Sequence, residues 1–435
     1  MKGVKYIGIL LTIAFTSMFL FPFEFRALPP GMNTKKLMAA AALVILLWKL
    51  IQKHELKMNK DFLYLSILAG LVSFFGIVSV TYNSTEDYTY ATYISSCWVW
   101  WGAAYTFCSF VKWVHGRVDL RLIISYLAIV CVFQSIIALV MDINPDVKSA
   151  INSVVLQEDK VYLGNVRRLY GIGATLDVAG SRFSAVLVML MFLLATPRFE
   201  KRWYEYLLYL TAFIIIIVGG NMIARTTMVG VIIAFLYLAF TTFKKESPQK
   251  HRSFALWYWF AGILFVSVPP LTYAYNNDPQ MKKHIRFGFE GFFNWVEKGD
   301  FNYTSNNRLK EMYVWPDNTK TWIIGDGYFE NPNGTDPYYT GEITEGFYKS
   351  TDVGYSRFIF YFGVLGLLMF SFYFIEVGRT CMRRFPEWKM LFLMLLLIHF
   401  AVWAKVSTDI FLCFAPFLCL GPENDETRLS DSSDM

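Results

Sequence analysis

Charge is scarce in this chain, and so are the residue patterns on which most known chemistry depends. Of 435 residues only 17% are Asp, Glu, Lys or Arg, against 55% hydrophobic, a balance that excludes an ordinary soluble globule. The five histidines, His54, His115, His251, His284 and His399, never recur at i, i+3 or i+4, so no spaced metal motif is present. There is no G-x-x-x-x-G-K-[ST] and no G-x-S-x-G, which argues against an ATP-driven pump and an elbow-type serine hydrolase. The six cysteines, Cys97, Cys108, Cys131, Cys381, Cys413 and Cys419, fall in or beside apolar runs, where they act as small apolar side chains; no disulfide is expected. No internal repeat is found, nor the paired half-spans that mark a transporter's central site. The net charge of +6 comes from basic residues dispersed among loops without a binding motif, so nucleic acid is not indicated.

What the chain does have is apolar runs of the length that crosses roughly 30 Å of hydrocarbon. They fall at about 4–23, 36–51, 62–82, 91–114, 120–141, 181–197, 203–221, 226–243, 254–273, 354–377, 388–404 and 408–421. The expectation is an all-α polytopic membrane protein of about 12 transmembrane helices. The sixth run has to admit Arg182 and the last is broken by Pro416, so either could be re-entrant. The first run reaches "FPFEFR" without a small-residue cleavage site and reads as a retained helix. Basic loops such as "KLIQKHELKMNK" and "GRTCMRRFPEWK" alternate with polar ones such as "TYNSTEDY", which places both termini in the cytoplasm. The one conflict is "RALPPGMNTKK", basic on the side assigned as outer. On this scheme residues 1–273 carry spans 1–9 with an outer loop at 142–180, 274–350 form a large outer module between spans 9 and 10, 351–421 carry spans 10–12, and 422–435 form a disordered acidic tail.

The outer segments hold the candidate chemistry. In "MKKHIRFGFEGFFNWVEKG" the residues Ile285, Phe289, Phe292, Phe293 and Val296 recur with helical spacing, which predicts one amphipathic helix lying on the outer leaflet. A short helix capped by Asn and ended by Pro316 is expected next, then a loop rich in Gly, Asn, Asp and Tyr suited to stacking sugars. Arg225 stands at the head of the eighth span after Gly219 and Gly220; Arg167, Arg168 and Arg182 lie in the first outer loop, and Arg308 begins a loop helix. Such arginines either snorkel to headgroups or grip a phosphate in a bidentate fork. The stretch "STDVGYSRFIFYFGVLGLLMF" opens the tenth span with Asp352, Tyr355 and Arg357 at its mouth. There Thr351 or Asp352 either caps the helix or, in the case of Asp352, faces the outer cavity with Tyr355. Asp352 and Arg357, five residues apart, are expected to face different partners.

Three of these patterns in order resemble the O-antigen polymerase and ligase superfamily of bacterial polysaccharide assembly. They are Arg225 with small and hydroxylated residues after it, the Arg308, Trp315, Gly325 and Gly327 pattern in "NNRLKEMYVWPDNTKTWIIGDGYF", and the opening of the tenth span. The resemblance implies a GT-C-related, metal-independent inverting glycosyltransferase of the bacterial inner membrane that needs no cofactor. Its donor would be a glycan on undecaprenyl diphosphate, and its acceptor either another lipid-linked repeat unit or lipid A core. It implies Asp352, Arg225 and Arg308 as catalytic residues, and Arg168, Arg167, Arg182, Tyr355, Arg357 and Trp315 as substrate-binding ones. Membrane lipids and a chain-length regulator are the partners it suggests. The ligase branch carries a His just before the tenth span, where this chain has Thr351-Asp352-Val353-Gly354-Tyr355; the departure favours polymerase. An Arg-x10-Gly motif of some polymerases is not matched from Arg168, Arg225 or Arg308. A flippase or another transporter would hold its charges inside the spans, whereas here they crowd the span ends and loops.

Overall fold

A computed structural model describes residues 2–53, 59–156, 168–196, 202–243, 250–332, 339, 341 and 347–420. Arg167 and the acidic tail lie outside them. Each of the twelve apolar runs falls on a helix: α1 Lys2–Leu20, α2 Thr34–Lys53, α3 Lys60–Asn83, α4 Tyr93–His115, α5 Leu120–Ile143, α7 Leu176–Ala195, α8 Trp203–Ile223, α9 Thr227–Phe243, α10 Lys250–Asn277, α15 Gly354–Arg384, α16 Lys389–Trp403 and α17 Phe411–Cys419. Between them come α6 Pro145–Val154, α11 Pro279–Gly288, α12 Glu290–Lys298, α13 Thr304–Glu311 and α14 Thr319–Ile323. Two short strands, β1 Glu24–Phe25 and β2 Val155–Leu156, pair antiparallel with Glu24 opposite Leu156. The protein is therefore nearly all-α. Seven helices among the described residues are long and apolar enough to cross a membrane, namely α3, α5, α7, α8, most of α10, α15, and α16 with the turn before it. Two shorter apolar helices are Lys5–Leu20 and Thr227–Phe243. With nine residues, α17 is only about 13 Å long.

The chain forms two compact units, one built largely from Met1–Met38 and Phe107–Asn302, the other from Ala39–Thr106 and Tyr303–Cys419. In the first, α7 is the core. Every residue from Ala179 to Ala195 is buried, and α5, α8, α9 and α10 pack around it. A helix apolar on nearly all sides suits such a place, and its few polar groups are used for close packing. The Ser184 hydroxyl donates to the Thr226 carbonyl at 2.9 Å and accepts from the Gly230 amide at 3.1 Å. A Cβ on Gly230 would lie 2.3 Å from the Ser184 Cα, so only glycine lets α9 approach α7 this closely. The helix begins five residues before the apolar run predicted for it, and small residues bury it from Ala179 on: a Cβ on Gly180 would sit 2.9 Å from both Ala224 and Thr226.

The second unit is centred on α15, which packs on α3, α14, α16 and α17. Its core is aromatic. Tyr90 meets Phe329, Phe358, Phe362 and Phe370 edge-on at 5.0–5.9 Å between ring centres, the arrangement the ring quadrupole favours. The His399 ring stacks on Phe374 at 3.7 Å and meets Trp403 at 4.5 Å, and neither ring nitrogen has a hydrogen-bond partner among the described residues. All six cysteines are free thiols and five of them are buried.

Candidate functional site

Four ends meet at one pole of the first unit: the Ile143 end of α5, the Leu176 start of α7, the Ile223 end of α8 and the Thr227 start of α9. An irregular segment enters here ahead of α7. Gln134, fully buried in α5, donates to the Ile172 carbonyl at 2.9 Å and accepts from the Ile172 amide at 2.8 Å. The side-chain amide thus replaces a missing backbone partner on both sides. The segment delivers Arg168 at its start and Asp177 just after its end, where Asp177 accepts from the Thr226 hydroxyl in the α8–α9 turn. That same turn carries Arg225.

Glu290 and Phe287 hold Arg225. Its Nη1 pairs with the Glu290 carboxylate at 2.7 Å, its Nε donates to the Phe287 carbonyl at 2.9 Å, and its guanidinium carbon lies 4.1 Å from the centre of the Phe287 ring. Arg168 faces the same ring at 5.0 Å. The two guanidinium carbons are therefore no farther apart than the sum of those distances, about 9 Å. One turn earlier on α11, the His284 Nε2 lies 2.7 Å from the Asp142 carboxylate at the end of α5, and His284 is buried. Arg182 is also buried, at 8% exposure, with its guanidinium 5.9 Å from the Phe21 ring.

Residues 279–298 form two helices, not one. The chain breaks at Phe289, and the residues buried against the unit are His284, Gly288 and Gly291. Of the apolar stripe read from the sequence, Phe292 and Val296 point outward at 47% and 79% exposure, as does the neighbouring Trp295 at 59%, while Ile285, Phe289 and Phe293 are half-buried and Phe293 stacks on Tyr275 at 5.6 Å. Arg286 ties the pair together through the Tyr275 hydroxyl at 3.0 Å and Glu297 at 2.7 Å. Hydrogen bonding from Arg286 holds the Glu297 carboxyl below its usual range and in turn raises the guanidinium.

The second unit holds the other sequence candidates. Arg308 is exposed on α13. That helix has Tyr303 at its N-cap rather than an Asn, and ends at Glu311, well before Pro316. Trp315 is 48% exposed and stacks nearly parallel on Trp322, 6.0 Å between centres; Trp322 is fixed by its indole N–H on the Pro316 carbonyl at 2.9 Å. Arg357 is enclosed, at 3% exposure. Its guanidinium lies between the Phe329 and Phe347 rings at 3.6 and 3.9 Å and donates to Ser407 Oγ, the Phe329 carbonyl and Glu330 at 2.7–2.8 Å. This binds the loop before α15 to the helix. Tyr355 donates to the Phe400 carbonyl at 3.0 Å and packs edge-on against Trp403. Asp352 is half-buried. The N-cap of α15 is Val353, whose amide donates to the Thr351 hydroxyl at 3.2 Å.

Farther along the loop, Asp326 accepts from Lys320, Thr321 and Tyr348 at 2.8, 2.6 and 3.2 Å. Burial and the Asp326 charge push the Tyr348 phenol well above its usual range, which keeps it a neutral donor. Among the described residues no three His, Cys, Asp or Glu side chains gather as a metal site.

The structure thus brings Arg168 and Arg225 together. Sequence reasoning missed the groups that join them, Phe287 and Glu290, and the Asp142 partner of His284. The only signal for them was the i, i+3 spacing of His284, Phe287 and Glu290, masked by the stronger apolar stripe on the neighbouring face. A comparison with family models, curated proteins and solved structures finds no match to this chain.

Proposed function

We propose that the chain is a polymerase that joins undecaprenyl-diphosphate-linked repeat units into a surface polysaccharide on the outer face of the bacterial inner membrane. In this reading about twelve helices span the membrane, both termini are cytoplasmic, and residues 274–350 form an outer module. The observation that carries it is the convergence of Arg168 and Arg225 on one aromatic ring at the pole where four apolar helices end. In the transfer, an acceptor hydroxyl attacks the anomeric carbon, and the bond to the diphosphate breaks with its electron pair leaving on the phosphate oxygen. Preorganised guanidinium forks suit that developing charge. The decisive experiment supplies purified protein in lipid nanodiscs with a polyprenyl-diphosphate glycan. Lengthened glycan and free polyprenyl diphosphate are expected, at an unchanged rate in EDTA because arginines would neutralise the leaving group. No lengthening, or a rate restored only by added Mg²⁺ or Mn²⁺, contradicts the reading.

Two groups compete for the acceptor proton. Asp352 is the carboxylate that the resemblance offers, and Asn in its place keeps the shape but cannot take up a proton. We expect Asp352→Asn to be stable, normally abundant and inactive. Wild-type polymer yield from Asp352→Asn together with loss in His284→Gln would transfer the role to the His284–Asp142 pair. That pair, held near the arginines, is also the observation that favours the second reading, a ligase that passes glycan to lipid A core.

A further inference from the structure

The α11–α12 hairpin is seated on the arginine pole by polar contacts. They are His284 on Asp142 at 2.7 Å, Glu290 on Arg225 at 2.7 Å, and the Phe287 carbonyl and ring beneath Arg225 and Arg168. Its buried face otherwise consists of Gly288 and Gly291, while Phe292, Trp295 and Val296 point away from the unit. Ile285, Phe287, Phe289 and Phe293 are only half-buried, so the hairpin brings no fully buried large apolar side chain to its seat. Each polar contact contributes only about 1 kcal/mol net, so local opening is accessible. The preceding helix α10 carries Pro269 and Pro270 inside it; two consecutive residues without an N–H interrupt its hydrogen-bond ladder and supply a hinge. The Arg168 Nε is buried and has no hydrogen-bond partner among the described residues.

Building on the diphosphate reading above, we propose that the Glu290 carboxylate occupies the anion position of the Arg225–Arg168 pair in the resting protein, and that a diphosphate displaces it as the hairpin lifts. A carboxylate and a phosphate present the same paired acceptors to a guanidinium fork. The carboxylate brings one charge, set on Arg225. A diphosphate brings more charge and a second acceptor group, which spans to the open Nε of Arg168. Glu290 is then an internal competitor: it offsets part of the positive charge of the arginine pair between turnovers and sets the concentration at which a diphosphate enters. The hairpin's outward apolar face gives the lifted lid a lipid surface to rest on.

The chemistry recognised is a diphosphate, free or on a polyprenyl lipid, and the test has an arm for each. Titration of inorganic pyrophosphate, and separately of undecaprenyl diphosphate, into the full-length protein in nanodiscs is followed by calorimetry. Glu290→Gln keeps the side-chain size and removes the competing charge; it is expected to tighten binding about tenfold in the lipid arm, with or without a gain in the pyrophosphate arm. Adding Arg225→Ala to Glu290→Gln should abolish the gain, while the elution profile of both variants shows that they fold. No tightening in either arm, or a gain that survives Arg225→Ala, overturns the proposal. The polymer ladder of cells carrying Arg225→Ala judges the enzyme reading separately. Loss of polymer there with no tightening in Glu290→Gln would sink the competitor role and leave glycosyl transfer standing.

Discussion

Arg225→Ala is expected to abolish polymer while the protein still reaches the membrane. The side chain meets the Glu290 carboxylate, the Phe287 carbonyl and the Phe287 ring at once, and a leaving diphosphate would need the same fork. Removing one preorganised donor from a transition state of this kind costs about 100- to 1000-fold in rate, enough to erase a ladder of chain lengths. The structural cost is smaller. Its side chain retains 14% exposure and that of Glu290 20%, so the lost charged bond costs roughly 1–3 kcal/mol, a partial loss of abundance at most. Arg225→Lys should recover little, because a single ammonium cannot meet a carboxylate, a carbonyl and a ring together. Arg225→Ala with Glu290→Ala removes the orphaned acid, so it should regain stability without regaining activity. That contrast separates a chemical role from a packing role. A full ladder from Arg225→Ala at normal abundance refutes the assignment.

The sequence shows the helices because burial in hydrocarbon or in a helical core leaves a long apolar run, and each of the twelve runs falls on one. Boundaries are less legible where burial is achieved without large apolar residues. The first turn of α7 reads as loop because Asp177 and Gly180 are polar or small, yet Gly180 lies flush against Ala224 and Thr226. The amphipathic stripe at 285–296 does lie on helix, but on two helices rather than one. The residues buried against the protein are His284, Gly288 and Gly291, which carry little hydrophobic signal. Arg225 was legible as a charge at a span end. Its partners Glu290 and Phe287 are more than sixty residues away, and the clamp on Arg357 draws on Phe329 and Glu330 from 28 and 27 residues away. Pairings of that range leave no local pattern, so a single sequence names the guanidinium and not what holds it.

Gly363→Ala is expected to remove most of the folded protein. Within α15, Phe362 and Gly363 leave the helical conformation, Gly363 at φ 71° and ψ −178°, a region that only glycine occupies at low cost. The break frees the carbonyls of Phe360 and Tyr361 from their bonds four residues on. They are met instead by the amides of Asp326 and Gly327, at 2.6 and 3.1 Å, and by the Ser79 hydroxyl, at 2.6 Å. The Gly-Asp-Gly loop noticed in the sequence is thus a set of backbone donors for a kinked helix, and non-helical backbone at this depth persists only with such donors. A Cβ on Gly363 would sit 2.1 Å from the Ile323 carbonyl oxygen and 2.4 Å from its carbon. Both are backbone atoms at the end of α14, so that helix would have to move and carry the loop off its acceptors. Strain alone costs about 1–3 kcal/mol, and each uncovered buried carbonyl about 1–3 kcal/mol more. Thermal unfolding of the detergent-purified variant should fall by roughly 10 °C or more, or the variant should elute as aggregate. Gly262→Ala is the control: on α10 a new Cβ would meet nothing within 4 Å, and its midpoint should match the wild type. A wild-type midpoint for Gly363→Ala would mean that α15 is straight there and that the loop's amides are bonded elsewhere.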